Sequence, residues 1–262
     1  FVQEQLNQGG VDTIHCKKWA FVAKLSDGSV VTWGAEDCGG DSSSVQAQLN
    51  KVEHIYSTDG AFAAKLSDGS VVAWYPTDDD YNSYADYGEI SQLKGVDTLF
   101  SATCAFAAKL EDSRVVAYGP SGWGGDSSSV QAQLKQVDTI YSNLFAFAAK
   151  LVDGSVVTWG HAKNGGDSSS VQAQLKQVDH IYSTDDSFAA KLSDGSVVTW
   201  GSKLDGADSS SVQAQLKQVD HIYSNARAFA AKLSDGSVVT WGNAERGGDS
   251  SAVHLELKRG VL

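Results

Sequence analysis

The 262-residue chain has no methionine, only three cysteines, and no run of 18 apolar residues. Without such a run no helix can cross a bilayer, so direct membrane insertion is not expected. No leader pattern is visible at Phe1. Cys16, Cys38 and Cys104 have no metal-ligand spacing, and an odd number cannot all pair within one chain. Cations are also scarce: 20 Lys and Arg stand against 32 Asp and Glu, a formal net charge of −12. So acidic a chain repels phosphates and anionic lipid, which argues against nucleic acid as a partner. Catalytic signatures are missing as well, with no nucleophile elbow, phosphate loop or paired His-Glu motif. Ser and Asp are abundant, but they recur at fixed positions, as turn and cap residues do, and an enzyme is not expected.

What is present is a repeat. Phe-Ala-Ala-Lys-Leu-Ser-Asp-Gly-Ser-Val-Val-Thr-Trp-Gly runs from Phe188 to Gly201 and again from Phe229 to Gly242. Close copies begin at Phe21, Phe62, Phe106 and Phe147, at intervals of 41, 44, 41, 41 and 41 residues. A period near forty marks a stacked or circular repeat architecture. The units run approximately 11–50, 51–94, 95–135, 136–176, 177–217 and 218–257, with overlapping terminal segments 1–10 and 258–262. Units of this kind share faces, so a single domain is expected.

Each unit has three short β-branched or aromatic stretches bounded by turn residues, as in Val178–Ser183, Phe188–Leu192 and Ser196–Gly201. They read as strands, the last two joined by a Ser-Asp-Gly-Ser hairpin. Phe188, Ala190 and Leu192 share one face, and Ala189 and Lys191 the other, so both faces are largely apolar. A strand buried on both sides suits a blade sandwiched between two others. The fourth stretch, Asp-Ser-Ser-Ser-Val-Gln-Ala-Gln-Leu, is compatible with a short outer helix, which is favoured, or an outer strand. The expected fold is therefore all-β, a six-bladed β-propeller with three core strands per blade.

A V-x-x-I strand followed by aromatic-x-A-x-L-x-x-D-G-x-V-x-x-W-G, over residues 11–257, resembles the regulator of chromosome condensation repeat family. The resemblance implies a β-propeller. The units here are short for that family, Phe replaces a frequent His, and six copies stand where seven are usual. Its exchange-factor and chromatin activities are accordingly not carried over to residues of this chain.

Comparing the units with one another separates frame from variation. The Asp-Gly turns are nearly constant, except at Glu111–Arg114, whereas the loops between the first and second strands and those after Trp-Gly differ. Connectivity puts both variable sets at the same end of a blade. Loops on a rigid scaffold commonly carry recognition. Lys17, Lys18, Trp19, Trp123, Leu144, Phe145, Lys203 and Arg227 are the candidate protein-binding residues, and a protein partner, within a larger complex, is expected.

The alternative is a small-ligand module. Asp78, Asp80, Asn82, the Tyr84 carbonyl, Asp86 and Glu89 occupy positions 1, 3, 5, 7, 9 and 12 of a calcium loop, with Ser83 where such a loop has Gly. An anion or carbohydrate is the other option, and no further cofactor is expected. Lys24, Lys65, Lys109, Lys150, Lys191 and Lys232 recur on the second strand, and Asp12, Glu53, Asp97, Asp138, Asp179 and Asp220 on the first. A set of structural ion pairs is favoured over a cationic channel, because an unpaired buried ammonium is costly. His54, His180 and His221 alternate with Thr in the other units, which leaves no complete histidine set for a metal.

Overall fold

The computed structural model describes residues 2–74 and 88–253. Among these, the repeat folds into six separate three-stranded antiparallel sheets. They comprise β1 (Val11–Cys16), β2 (Ala20–Leu25) and β3 (Val30–Gly34); β4 (Val52–Ser57), β5 (Phe62–Leu66) and β6 (Val71–Trp74); and β7 (Val96–Ser101), β8 (Phe106–Leu110) and β9 (Val115–Tyr118). The second half repeats the pattern with β10 (Val137–Ser142), β11 (Ala146–Leu151) and β12 (Val156–Gly160); β13 (Val178–Ser183), β14 (Ser187–Leu192) and β15 (Val197–Gly201); and β16 (Val219–Ser224), β17 (Ala228–Leu233) and β18 (Val238–Gly242). One helix, α1 (Val2–Gly9), precedes β1. The chain divides into two compact units, Phe1–Asp126 and Ser127–Leu262, each holding three blades.

The hairpin between second and third strands is fixed by its own side chains. In blade 5, Asp194 accepts hydrogen bonds from the Ser196 amide at 2.9 Å and the Ser196 hydroxyl at 2.6 Å. Those bonds favour the ionised carboxyl and hold its pKa below the usual range. Gly195 supplies the required positive φ of 78°. In the deviant turn Ser113 adopts φ 67° without that freedom, and Arg114 pairs with Asp112 at 2.7 Å.

Every described first strand carries an irregularity that the alternating pattern does not show. In β13 the register with β14 shifts between Val178 and His180. The extra residue, Asp179, lets Val178 and Ile181 turn to the same buried side although they are three apart. The same shift recurs in the other first strands.

Each blade then presents two unlike faces. In blade 5, Val178, Ile181, Phe188, Ala190, Val198 and Trp200 pack on Ala146, Ala148, Val156 and Leu175 of blade 4. Blade 6 repeats this on blade 5, and in the first unit blade 2 repeats it on blade 1 and blade 3 on blade 2. The large-residue face of one blade therefore meets the small-residue face of the one before it. Phe stacks on Trp within the blade, at 5.2 Å for Phe188 and Trp200. The indole of Trp200 donates to the Gly165 carbonyl of blade 4 at 3.0 Å, and Trp74 and Trp241 do likewise to Gly39 and Gly206. Trp74, Trp200 and Trp241 are thus inter-blade wedges rather than an exposed aromatic surface.

Among the described residues, the fourth stretch is neither a full helix nor a strand. It forms turns or single 3-10 turns, such as Gln46–Gln48 and Ser128–Val130. In blade 4, Ser168 donates to Gln172, whose amide donates to the Val156 carbonyl on the outer edge of β12. That side-chain bridge occupies an edge that a fourth strand would otherwise pair with. Leu175 from the same stretch is fully buried against the blades.

Gly165 sits where loop and core meet. It has φ +98°, and a Cβ there would lie 2.6 Å from the Phe188 ring. Gly165→Ala should cost about 1–3 kcal/mol through overpacking and left-handed strain. A urea titration reads this, and an unchanged midpoint would contradict the close approach.

Candidate functional site

The loops that vary among repeats converge blade by blade. In blade 4, Asn143 of the β10–β11 loop donates to the Asn164 carbonyl of the loop after β12 at 2.6 Å. Thr184 does the same to Asp205 at 3.0 Å in blade 5, and Asn225 to Arg246 at 2.8 Å in blade 6. Both loop sets therefore occupy the same end of a blade, opposite the Asp-Gly hairpin.

Neighbouring loops are also tied across blades. In the second unit, the Leu144 amide donates to Asp185, and the Asp185 amide donates to Ala226. In the first unit, the Asp59 amide donates to Thr103. Asn164 donates to Asp186, and Arg227 reaches Asp205 at 3.4 Å. Backbone so anchored presents its side chains from a fixed platform.

The candidates divide by exposure. Trp19 is 62% exposed and Leu204 77%, with Lys18, Lys203, Leu144 and Arg227 also on the surface. Phe145 and Trp123 are half-buried, Phe145 lying edge-on to His161 at 6.4 Å. Lys17 differs, because its ammonium is buried without a hydrogen-bond partner, 4.2 Å from the centroid of the Phe62 ring. Burial lowers its pKa to about 8, against opposing attraction from Cys38 and Asp59. Lys17 is thus not available as a surface contact. Exposed Leu204 was not singled out in the sequence, where it stands as one apolar residue in a polar loop.

The repeated lysines meet the repeated acids. Lys24 pairs with Asp12 at 2.8 Å, Lys65 with Glu53 at 3.0 Å, and Lys109 with Asp97 at 3.5 Å. Lys150 pairs with Asp138 at 2.9 Å, Lys191 with Asp179 at 2.9 Å, and Lys232 with Asp220 at 3.2 Å. Lys24, Lys150 and Lys191 also donate to the carbonyls of Glu53, Asp179 and Asp220 on the following blade. Each such lysine neutralises a carboxylate at home and braces the next sheet.

First strands of the second unit carry an aromatic ladder. Tyr141 Oη lies 3.2 Å from His180 Nδ1, and Tyr182 Oη lies 3.3 Å from His221 Nδ1. The rings meet edge to face at 4.9 and 5.1 Å. Partial burial lowers the His180 pKa, and its Nδ1 faces the Tyr141 hydroxyl while the ring packs between Tyr141 and Tyr182. Among the described residues no cluster of three or more His, Cys, Asp or Glu could hold a metal ion. The calcium candidates Asp78, Asp80, Asn82, Tyr84 and Asp86 lie outside the described residues, as does the side chain of Glu89. No described helix is long and apolar enough to cross a membrane.

No protein-family model matches the chain, and no curated protein matches it. Solved structures do. Yeast RCC1 (Prp20) bound to Kap60 matches with a TM-score of 0.52 at 15% identity, over 98% of this chain and 73% of that one. Prp20p of Saccharomyces cerevisiae, described with its binding properties to Gsp1p and histones, matches with a TM-score of 0.52 at 16% identity, over 90% and 73%. Human WBSCR16 matches with a TM-score of 0.53 at 14% identity, over 90% and 77%. The fold is an RCC1-like β-propeller repeat fold, all-β and six-bladed.

Proposed function

We propose that this chain is a non-catalytic protein-binding scaffold or accessory subunit that engages its partner through the variable loop ends of its blades. The observation that carries this reading is the contrast between the two ends of one blade. The hairpin end repeats the same Asp–Ser turn, closed by its own hydrogen bonds. The loop end changes from unit to unit and holds large apolar side chains out to solvent, among them Trp19, Leu144 and Leu204. Exposed aromatic and apolar anchors on a fixed backbone are what a protein interface uses, because little conformational freedom is lost on binding.

Proteins of the same fold bind other proteins: the yeast structures are described with Kap60, and with Gsp1p and histones. Their low identity gives no ground for transferring those particular partners. The net charge of −12 disfavours a phosphate backbone as ligand.

A triple variant, Trp19→Ser with Leu144→Ser and Leu204→Ser, should reduce capture of the bound protein at least roughly tenfold. Its thermal midpoint should be nearly unchanged, since exposed substitutions away from caps and cores fall within about 0.5 kcal/mol. Affinity capture with quantitative mass spectrometry makes the comparison. Equal recovery from parent and variant would overturn the assignment.

A further inference from the structure

The joint between blades 4 and 5, inside the second unit, opens as a cleft at its loop end. Lys163, Asn164, Asp186, Gly201, Ser202 and Lys203 line a volume of about 350 Å³. Lys163 stands on the loop after β12 and Lys203 on the loop after β15, so consecutive blades each contribute one ammonium. Both side chains are exposed. Neither has an ion-pair partner among the described residues, and the pull of Lys203 on Asp208 acts beyond ion-pair distance. Asp186, the carboxylate in the lining, is taken up by the Asn164 amide.

The next joint of the same unit is closed differently. One repeat further on, Asp205 and Arg227 stand where Asn164 and Asp186 stand here, and the guanidinium reaches the carboxylate at 3.4 Å. Leu204 and Ala244 stand there in place of the two lysines. The long arginine thus meets its counter-charge inside the chain, whereas the short Asn164–Asp186 pair leaves room, with two cations over it. Packing of the repeat does not call for those lysines, since the joint between blades 5 and 6 forms without them.

Charge and size define the occupant. A lysine ammonium is a compact point charge that holds a carboxylate without a fixed fork geometry, and two of them border this cleft. Beside Lys203 on the rim, Leu204 is 77% exposed and offers apolar surface. Resting on the protein-binding reading, we infer that the cleft seats an acidic side chain of the protein partner, its carboxylate between Lys163 and Lys203 and an adjoining apolar side chain over Leu204. Charges at such a rim govern which segment is accepted and how fast it arrives, more than the total affinity.

Titration of the isotope-labelled full chain with the peptide acetyl-Leu-Glu-Glu-Leu-amide, followed through amide chemical shifts, tests this. Shifts should saturate at low-millimolar peptide and centre on Lys163, Asn164, Ser202, Lys203 and Leu204. The same peptide with Gln in place of Glu should give no saturable shift. Lys163→Gln with Lys203→Gln should weaken binding about fivefold, and raising salt from about 0.02 M to about 0.2 M should act in the same direction. Lys163→Glu with Lys203→Glu should reverse the preference and accept the peptide with Lys in place of Glu, which also shows that the variant is folded. No saturation with the Glu peptide, equal binding of the Gln peptide, or unchanged binding by the Gln double variant would each overturn the inference. So would the same shifts from free glutarate at equal concentration, which would mark a site for small acids instead. The two readings fail separately. A captured partner lost by the Trp19, Leu144 and Leu204 triple variant but retained by the Gln double variant removes the cleft and keeps the binding face, whereas retention by both removes the face itself.

Discussion

Phe188→Ala should cost about 3–5 kcal/mol, whereas Phe21→Ala, at the same position of the repeat, should cost well under half of that. Chemistry and local sequence are alike at the two sites, so burial decides. Phe188 is completely buried among Ala146, Ala148, Val156 and Leu175 of the preceding blade. It also stacks on Trp200 at 5.2 Å with the planes 22° apart. Removing the ring leaves a cavity between two sheets, with the backbone of Gly165 against its edge. Phe21 also stacks on Trp33 at 5.2 Å, yet 41% of it faces solvent, so much of its apolar area is never withdrawn from water. Repeat stability is a sum of unit and nearest-neighbour terms, so the Phe188 change removes coupling between blades 4 and 5 in particular. Urea denaturation followed by tryptophan fluorescence measures both variants at a low protein concentration. Equal losses would mean that the stack inside the blade, not the joint between blades, is the principal source of stability.

The same pair shows which parts of the fold were legible in the sequence. Phe, the Asp-Gly turn and Trp-Gly recur at a fixed period, so the second and third strands, their hairpin and the all-β blade architecture followed from local pattern. Register depends on alternation, and there the pattern held. In the first strand it did not. Val178 and Ile181 are three apart, which alternation places on opposite faces, and only the bulge at Asp179 reunites them. That bulge is set by pairing with β14 and by the ion pair to Lys191, neither of which is a local property. The outer stretch was ambiguous for a similar reason. Its fate depends on whether the edge of the third strand is met by backbone or by a glutamine side chain, and Gln172 supplies the latter.

Of the candidate loops, their placement at one end of the blade was legible because strand count fixes the direction of the chain. Exposure of each side chain was not. Trp19 and Lys17 stand two residues apart in the same loop, and the structure sends one into solvent and the ammonium of the other beneath its neighbours. The Tyr–His ladder was hidden too, since its partners lie 39 residues apart and meet only when successive blades align.

Lys17→Met should stabilise the chain below neutral pH, and the gain should fade as the medium becomes alkaline. At the equivalent position, Asn143, Thr184 and Asn225 each donate to a loop carbonyl of their own blade. Lysine is longer, and its Nζ overshoots to lie buried over the Phe62 ring, with no hydrogen-bond partner. The ring face offers some cation–π attraction, but less than the hydration lost. Burial therefore brings the pKa from 10.5 down to about 8 in the folded chain. Between those values the unfolded chain binds the extra proton, so stability rises with pH across that window. Below about 8 both states are charged and the full penalty is present. The drop corresponds to about 3 kcal/mol, which solvent screening of a partly withdrawn side chain reduces to about 1–2 kcal/mol. Methionine fills similar space without charge and should recover that amount at pH 6.5. By pH 10 the folded-state amine is neutral and most of the advantage should have gone. Other groups titrate over the same range, but they do so in both proteins, and the difference between the two denaturation curves isolates residue 17. A stability difference that is the same at both pH values would show that the ammonium is solvated after all.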